Sequence, residues 1–202
     1  MRQGPHPLKR PALVAQTPTL TGMAGRGRCC ERSHARFTDE HLERLAVIAR
    51  VDQRVLFARK AHLAIYGPRL LIVTLCQGGA LHYLDCLKGK KHTNGVKDLD
   101  VYTFYSEDLK VPWPYRRHVV ADFGESEFGY HPNKRKAFVG RHVDLMGRAL
   151  PVEPNAEPVE AVRDWLATNH NKTPRLLREK GVVGLHPARY RGRVIWDPDT
   201  DL

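Results

Sequence analysis

The chain has 202 residues and a mass of 23.0 kDa, the size of one domain or of a domain with an appendage, which excludes fibrous and large multidomain architectures. With 42% hydrophobic and 27% charged residues and a mean hydropathy of −0.47 it carries enough apolar side chains for a real core, which excludes disorder of the whole chain. The net charge of +11 favours polyanionic partners: nucleic acid, nucleotides or anionic membrane.

Residues 1–36 hold seven basic residues against Glu31 alone, a surplus of +6, and are rich in Pro, Gly, Thr and Arg without a sustained period. Such a segment cannot bury enough apolar surface to offset the entropy of ordering, so it reads as a flexible basic arm able to attach to nucleic acid. Met23 offers a second possible start besides Met1. Pro5, Pro7, Pro11 and Pro18 stand where a signal peptide would carry a continuous apolar stretch, and the longest apolar run, 70–76, is far short of a membrane span. The expectation is a cytoplasmic protein with no membrane partner. Cys29, Cys30, Cys76 and Cys86 are too few for a disulfide scaffold, and the adjacent pair lacks the gap of a zinc knuckle, so they read as reduced thiols.

A single domain is expected over 37–202. Thr38 has the chemistry of an N-cap, Asp39 and Glu40 suit the positive end of a helix, and Leu42, Leu45, Ala46 and Ile48 recur at helical spacing, predicting one or two helices over 39–64. Gly67-Pro68 ends them. The run 70–75 is apolar on both faces and predicts a buried strand, Gly78-Gly79 a turn, 80–87 a helix and 88–95 a basic, turn-rich loop. Residues 98–105 alternate polar and apolar and are rich in β-formers, predicting a strand with Leu99 and Val101 on its core side. A weaker strand is expected at 116–123, a better one at 141–146 and a short one at 182–185, with helices at 159–168 and 174–180, the latter ended by Gly181; the tail beyond Pro198 is expected to fray. The domain reads as α+β, with its core over 70–146 and C-terminal helices within 156–180.

Three pieces carry chemistry. Asp98 and Asp100, two residues apart on a strand, point their carboxylates to one face, where they repel unless a cation sits between them. Oxygen donors without His or Cys suit Mg2+ or Mn2+ rather than zinc. Asp144, between Val143 and Leu145 in an apolar strand, needs a metal ion or a salt bridge to Arg141, Arg148 or the Arg116-Arg117 pair. If its strand lies beside the first, the three aspartates make the ligand set of a two-metal phosphoryl-transfer centre. Gly78 and Gly79 precede a helix, and backbone N–H groups without side chains there can cradle a phosphate. The simpler readings are a plain turn for the glycines and a turn cap for the first aspartates.

Gly-Gly after an apolar strand, Asp-hydrophobic-Asp on a second strand and a hydrophobic-flanked Asp on a third, over 70–145, resemble the nucleotidyltransferase superfamily that includes DNA polymerase beta and the small aminoglycoside nucleotidyltransferases. The resemblance implies a mixed sheet flanked by helices, binding of a nucleoside triphosphate such as ATP with Mg2+, and transfer of the nucleoside monophosphate to a hydroxyl on protein, RNA or a small molecule. It implies that Gly78 and Gly79 hold the triphosphate, that Asp98 and Asp100 ligate both metals, and that Asp144 binds the catalytic metal and helps activate the acceptor. Lys97, Arg116 and Arg117 are the basic candidates for the triphosphate. Eighteen residues separate Gly79 from Asp98, more than the family usually shows, and Gln77-Gly78-Gly79 replaces the commoner Gly-Ser. This departure keeps open a catalytically decayed member that binds nucleic acid or a toxin–antitoxin partner.

The remaining motifs read as structural. The eleven histidines, His118, His131 and His142 among them, lack metal-ligand spacing, and Trp113, Tyr115, Trp165 and Tyr190 read as packing residues. Asp197-x-Asp199-x-Asp201 opens like a calcium loop but lacks the following Gly and Glu.

Overall fold

The computed structural model describes residues 32–114, 117–132 and 137–201. Helix α1, Asp39–Arg59, starts where the sequence places it: Thr38 Oγ1 accepts from the His41 amide, and the Thr38 amide donates back to His41 Nδ1, a reciprocal box that satisfies two helix-end groups. Leu42, Leu45, Ala46, Ala49 and Leu56 are buried on one side of it, each full burial of a leucine contributing roughly 1.5–3 kcal/mol. A 3-10 turn, Ala61–Tyr66, leads to strand β1, Leu70–Cys76.

Helix α2 spans Gln77–Leu87, so Gly78-Gly79 is not the predicted turn before a helix at 80 but the first turn of the helix itself. The reversal from strand to helix falls one residue earlier, at Gln77, whose φ of 54° lies in the left-handed region. Gly79 is required by packing: a Cβ there would lie 2.8 Å from Leu75 Cδ1. Strand β2 is Leu99–Ser106, β3 His118–Asp122 and β4 His142–Leu150; helices α3, Pro158–Thr168, and α4, Lys172–Lys180, follow, with Gly181 at φ 90° closing α4. Strands β5, Val182–His186, and β6, Val194–Trp196, complete one six-stranded mixed sheet in the order β3-β4-β2-β1-β5-β6. Among the described residues only the β2–β4 pair is parallel.

Both faces of the sheet are covered, which is why central β1 is apolar on both faces apart from buried Thr74. Val73, Leu75, Leu99, Val101, Val143 and Leu145 pack under α1 and α2. Ile72, Cys76, Tyr102 and Phe104 face the other way, against Val159, Val162 and Leu166 of α3 and Leu177 of α4. Among the described residues, no helix is long and apolar enough to cross a membrane.

Two boundaries differ from the sequence reading, both through contacts remote in sequence. Ser33 and Val96 pair by N–H···O bonds of 2.8 and 2.7 Å in both directions, so the fold takes in residues before 37. Residues 1–31, with Met23, Cys29 and Cys30, lie outside the described residues, as do Tyr115 and residues 133–136. The tail does not fray at Pro198. Lys88 Nζ donates to Asp197 at 2.6 Å and to Asp199 at 2.8 Å, Lys90 reaches Asp199 and Asp85, and Arg163 holds Asp201 at 2.8 Å. The acidic end of the chain therefore clamps the basic loop that follows α2.

Candidate active site

Strand pairing brings the three sequence pieces to one end of the sheet. In the parallel β2–β4 ladder Asp100 is the direct neighbour of Asp144, and in the antiparallel β1–β2 ladder Asp100 faces Cys76, the last residue before α2. Asp100, Asp144, Cys76 and the N-terminus of α2 thus share one corner. By strand alternation the two carboxylates project on the α3/α4 side, with Tyr102 and Met146, while Leu99, Val101, Val143 and Leu145 enter the opposite core. Asp98 sits just before β2, partly exposed.

The electrostatics of this corner are unfavourable to charge. Burial, then the charges of Asp98 and Asp144, push the Asp100 carboxyl up to about 8. Gln77 Nε2 donates to Asp100 Oδ1 at 2.7 Å, so the strained backbone of Gln77 aims its amide at the carboxyl. His118 Nε2 lies 2.9 Å from Asp144 Oδ1. His118, which the sequence reading did not name for this role, is thus a partner of Asp144. Sequence reasoning took His118 for a surface or packing residue, because nothing local reveals that β3 lies antiparallel to β4 with Val120 opposite Asp144.

The start of α2 is built to leave its amides available. Its N-cap, Cys76, makes no side-chain cap bond, and no acidic residue stands in its first turn. A Cβ on Gly78 would meet nothing within 4 Å, so open space adjoins these N–H groups. Burial raises the Cys76 thiol well above its usual range, so it is a neutral packing group.

The basic candidates divide. Lys97 is exposed beside Asp98. Arg117 is held by Asp52 of α1 through two bonds of 2.6 Å. Arg116 lies outside the described residues. Arg141, 2% exposed, donates from Nε to the Phe128 carbonyl at 2.7 Å and from Nη1 to the Lys97 carbonyl at 3.3 Å. It ties the segment before β2 to β4 and so positions Asp98.

From the carboxylates, Tyr102, His118, Met146, Arg148 and Thr173 line a cleft of about 190 Å³. It shares Arg148 and Thr173 with one of about 640 Å³ under the α3–α4 connection, where Arg148 lies over the Trp165 ring at 5.9 Å. That volume falls among small-ligand sites, which run to about 300–1,000 Å³. A cleft of about 920 Å³ lies by Arg69, Asp108 and Leu109, beyond the far end of β2 and away from the carboxylates.

Among the described residues, no group of three or more His, Cys, Asp or Glu side chains is gathered closely enough to hold a metal ion. The donor chemistry nevertheless fits a hard divalent cation: the Asp100 carboxyl, disfavoured as an anion by burial and by the neighbouring aspartates, is a group a cation would relieve. Comparison with known protein families, curated proteins and solved structures finds no match for the chain.

Proposed function

We propose that the chain is a nucleotidyltransferase of the DNA polymerase beta type, with Asp98, Asp100 and Asp144 as its Mg2+ ligands and catalytic residues. The observation that carries this reading is the ladder position of Asp100 beside Asp144, next to an uncapped, glycine-opened helix. Carboxylates on adjacent strands at the end of the sheet where an uncapped helix begins are what transfer of a nucleoside monophosphate needs: amides for the triphosphate, and oxygen donors that would hold a divalent cation beside it. Mg2+, when bound, neutralises charge developing on the transferred phosphoryl group and its leaving oxygen.

The residues then divide the work. Amides at Gly78 and Gly79 hold the triphosphate, with Lys97 and Arg116 as its side-chain partners; Arg117 joins them only by leaving Asp52. Asp144 takes the proton of the acceptor hydroxyl as that oxygen bonds to the α-phosphorus. The bond from the α-phosphorus to the bridging oxygen breaks, and pyrophosphate leaves. His118 orients Asp144, and the cleft along β4 gives the acceptor a path. Incubation with α-labelled ATP, GTP, CTP or UTP and candidate acceptors tests the reading: label should transfer with Mg2+, and activity unchanged in Asp98→Ala/Asp100→Ala overturns it.

A second reading, a decayed relative that binds nucleic acid or a partner protein without catalysis, is favoured by one observation: Asp100 and Asp144 spend an oxygen each on Gln77 and His118. It requires salt-sensitive nucleic-acid binding that survives loss of all three aspartates.

A further inference from the structure

Gln77 is the one non-glycine residue with a positive φ among the described residues, and it stands where β1 ends and α2 begins. A left-handed backbone crowds a Cβ against the neighbouring carbonyl, a penalty that glycine escapes. Glycine would make this turn without strain, so what a glutamine adds at 77 is its side chain. That side chain crosses from the end of β1 to β2, where Nε2 donates to Asp100 Oδ1 at 2.7 Å. The β1–β2 register brings the two together by setting Asp100 opposite Cys76, the residue before Gln77.

The last torsion of an aspartate side chain, between an sp3 and an sp2 carbon, is broad, so an unrestrained carboxylate turns its oxygens freely. A donor fixed on Oδ1 ends that freedom. It leaves Oδ2, which meets no hydrogen-bond donor among the described residues, as the oxygen on offer. The donor is also neutral: a lysine or arginine in its place would neutralise the carboxylate and compete with a cation, whereas an amide orients it and leaves its charge. Carboxylates that ligate metals are themselves held by such outer hydrogen bonds. Asp144 is held in the same manner, with His118 on its Oδ1 at 2.9 Å.

We propose that Gln77 is a positioning residue of the acidic corner: its amide sets the Asp100 carboxylate for a hard divalent cation, and the left-handed turn at 77 is strain retained to place that amide. One oxygen of Asp100 is taken so that the other is aimed. The same bond ties the first turn of α2 to β2, and so fixes the helix amides relative to the carboxylate. The cation, and with it this role, rests on the transferase reading.

Mn2+ titrated into the full chain, with the free ion followed by electron paramagnetic resonance, tests the role. Wild type should bind Mn2+ and Asp98→Ala/Asp100→Ala should not. Gln77→Gly fits the turn without strain, so it should keep the wild-type circular dichroism and melting temperature, yet bind Mn2+ about 10–100-fold more weakly. Asparagine also tolerates a left-handed backbone but carries its amide one methylene shorter, so Gln77→Asn should behave alike. The residual Mn2+ affinity of Asp100→Asn should be unchanged by adding Gln77→Gly, because the group it positions is gone. Equal affinity in wild type and Gln77→Gly overturns the positioning role and leaves the transferase reading standing. So does a loss that persists in full in the Asp100→Asn background, or a fold that fails in both Gln77 variants, which assigns the residue to stability alone. Mn2+ binding that is absent from wild type, or unchanged in Asp98→Ala/Asp100→Ala, removes the cation site of the transferase reading and this role with it.

Discussion

Asp100 on β2 and Asp144 on β4 are ladder neighbours in the one parallel strand pair among the described residues, and the charge of Asp144 helps raise the Asp100 carboxyl. The register that sets Asp100 beside Asp144 also sets Leu99 beside Val143 and Val101 beside Leu145 in the core, so a one-residue slip of either strand would turn its carboxylate into apolar packing. The corner is thus held in place by the hydrophobic core behind it.

Asp100 carries a proton more readily in the folded chain, where its carboxyl is pushed up to about 8, than in the unfolded chain. The folded state therefore binds more protons between about pH 4 and pH 8, and stability should fall as pH rises through that window. Allowing for partial solvation, the loss is roughly 1–3 kcal/mol. Asp100→Asn should flatten the slope and raise the melting temperature at pH 8. Thermal denaturation across pH checks this, and an unchanged slope in Asp100→Asn refutes it.

The two glycines of α2 should separate stability from ligand binding. At Gly79 a Cβ meets Leu75 Cδ1 at 2.8 Å, so Gly79→Ala forces the buried Leu75 side chain or the helix to shift and should cost about 1–3 kcal/mol. At Gly78 the space is open and alanine is the better helix former, so Gly78→Ala should be neutral or stabilising by up to about 1 kcal/mol. Under the transferase reading Gly78→Ala should still weaken nucleotide affinity, because the methyl group occupies the triphosphate's approach. Urea denaturation and nucleotide titration read the two effects apart.

Thr38→Ala removes the acceptor for the His41 amide and breaks the box with His41 Nδ1. The expected cost is about 1 kcal/mol, measured as a lower urea midpoint with an unchanged slope. Thr38→Ser, which keeps the hydroxyl, should restore most of it.

Asp199 joins Lys88 and Lys90, whose ammonium groups hold its carboxyl below the usual range. Asp199→Asn should loosen the loop after α2 and speed tryptic cleavage at Lys90 and Lys91. High salt should speed cleavage of the wild-type chain in the same direction, by screening the clamp.

Much of the secondary structure was legible because its causes are local. Thr38 declares α1 through its own hydroxyl, 70–75 declares a buried strand through apolar residues on both faces, and Leu99 and Val101 declare the core side of β2 through alternation. The aspartates were legible as residues, since a carboxylate flanked by Val143 and Leu145 calls for a partner. The partner itself was not: His118 lies 26 positions from Asp144 and reaches it only because β3 folds back along β4. Nor was the start of α2, where a positive φ at Gln77 draws on the carboxyl of Asp100 across the sheet.

The sequence by itself determined the α+β class, the identity of the candidate catalytic groups and the absence of a long apolar helix, because these follow from residue chemistry and from periods of two to four residues. Only the tertiary structure decided which strands pair and in which direction. That choice set Asp100 beside Asp144, gave Arg117 to Asp52 and Arg141 to the Lys97 carbonyl, and folded the acidic tail onto Lys88 and Lys90. Each of these joins residues far apart in the chain, and the free energy that selects them comes from packing the whole core, which no short stretch of sequence contains.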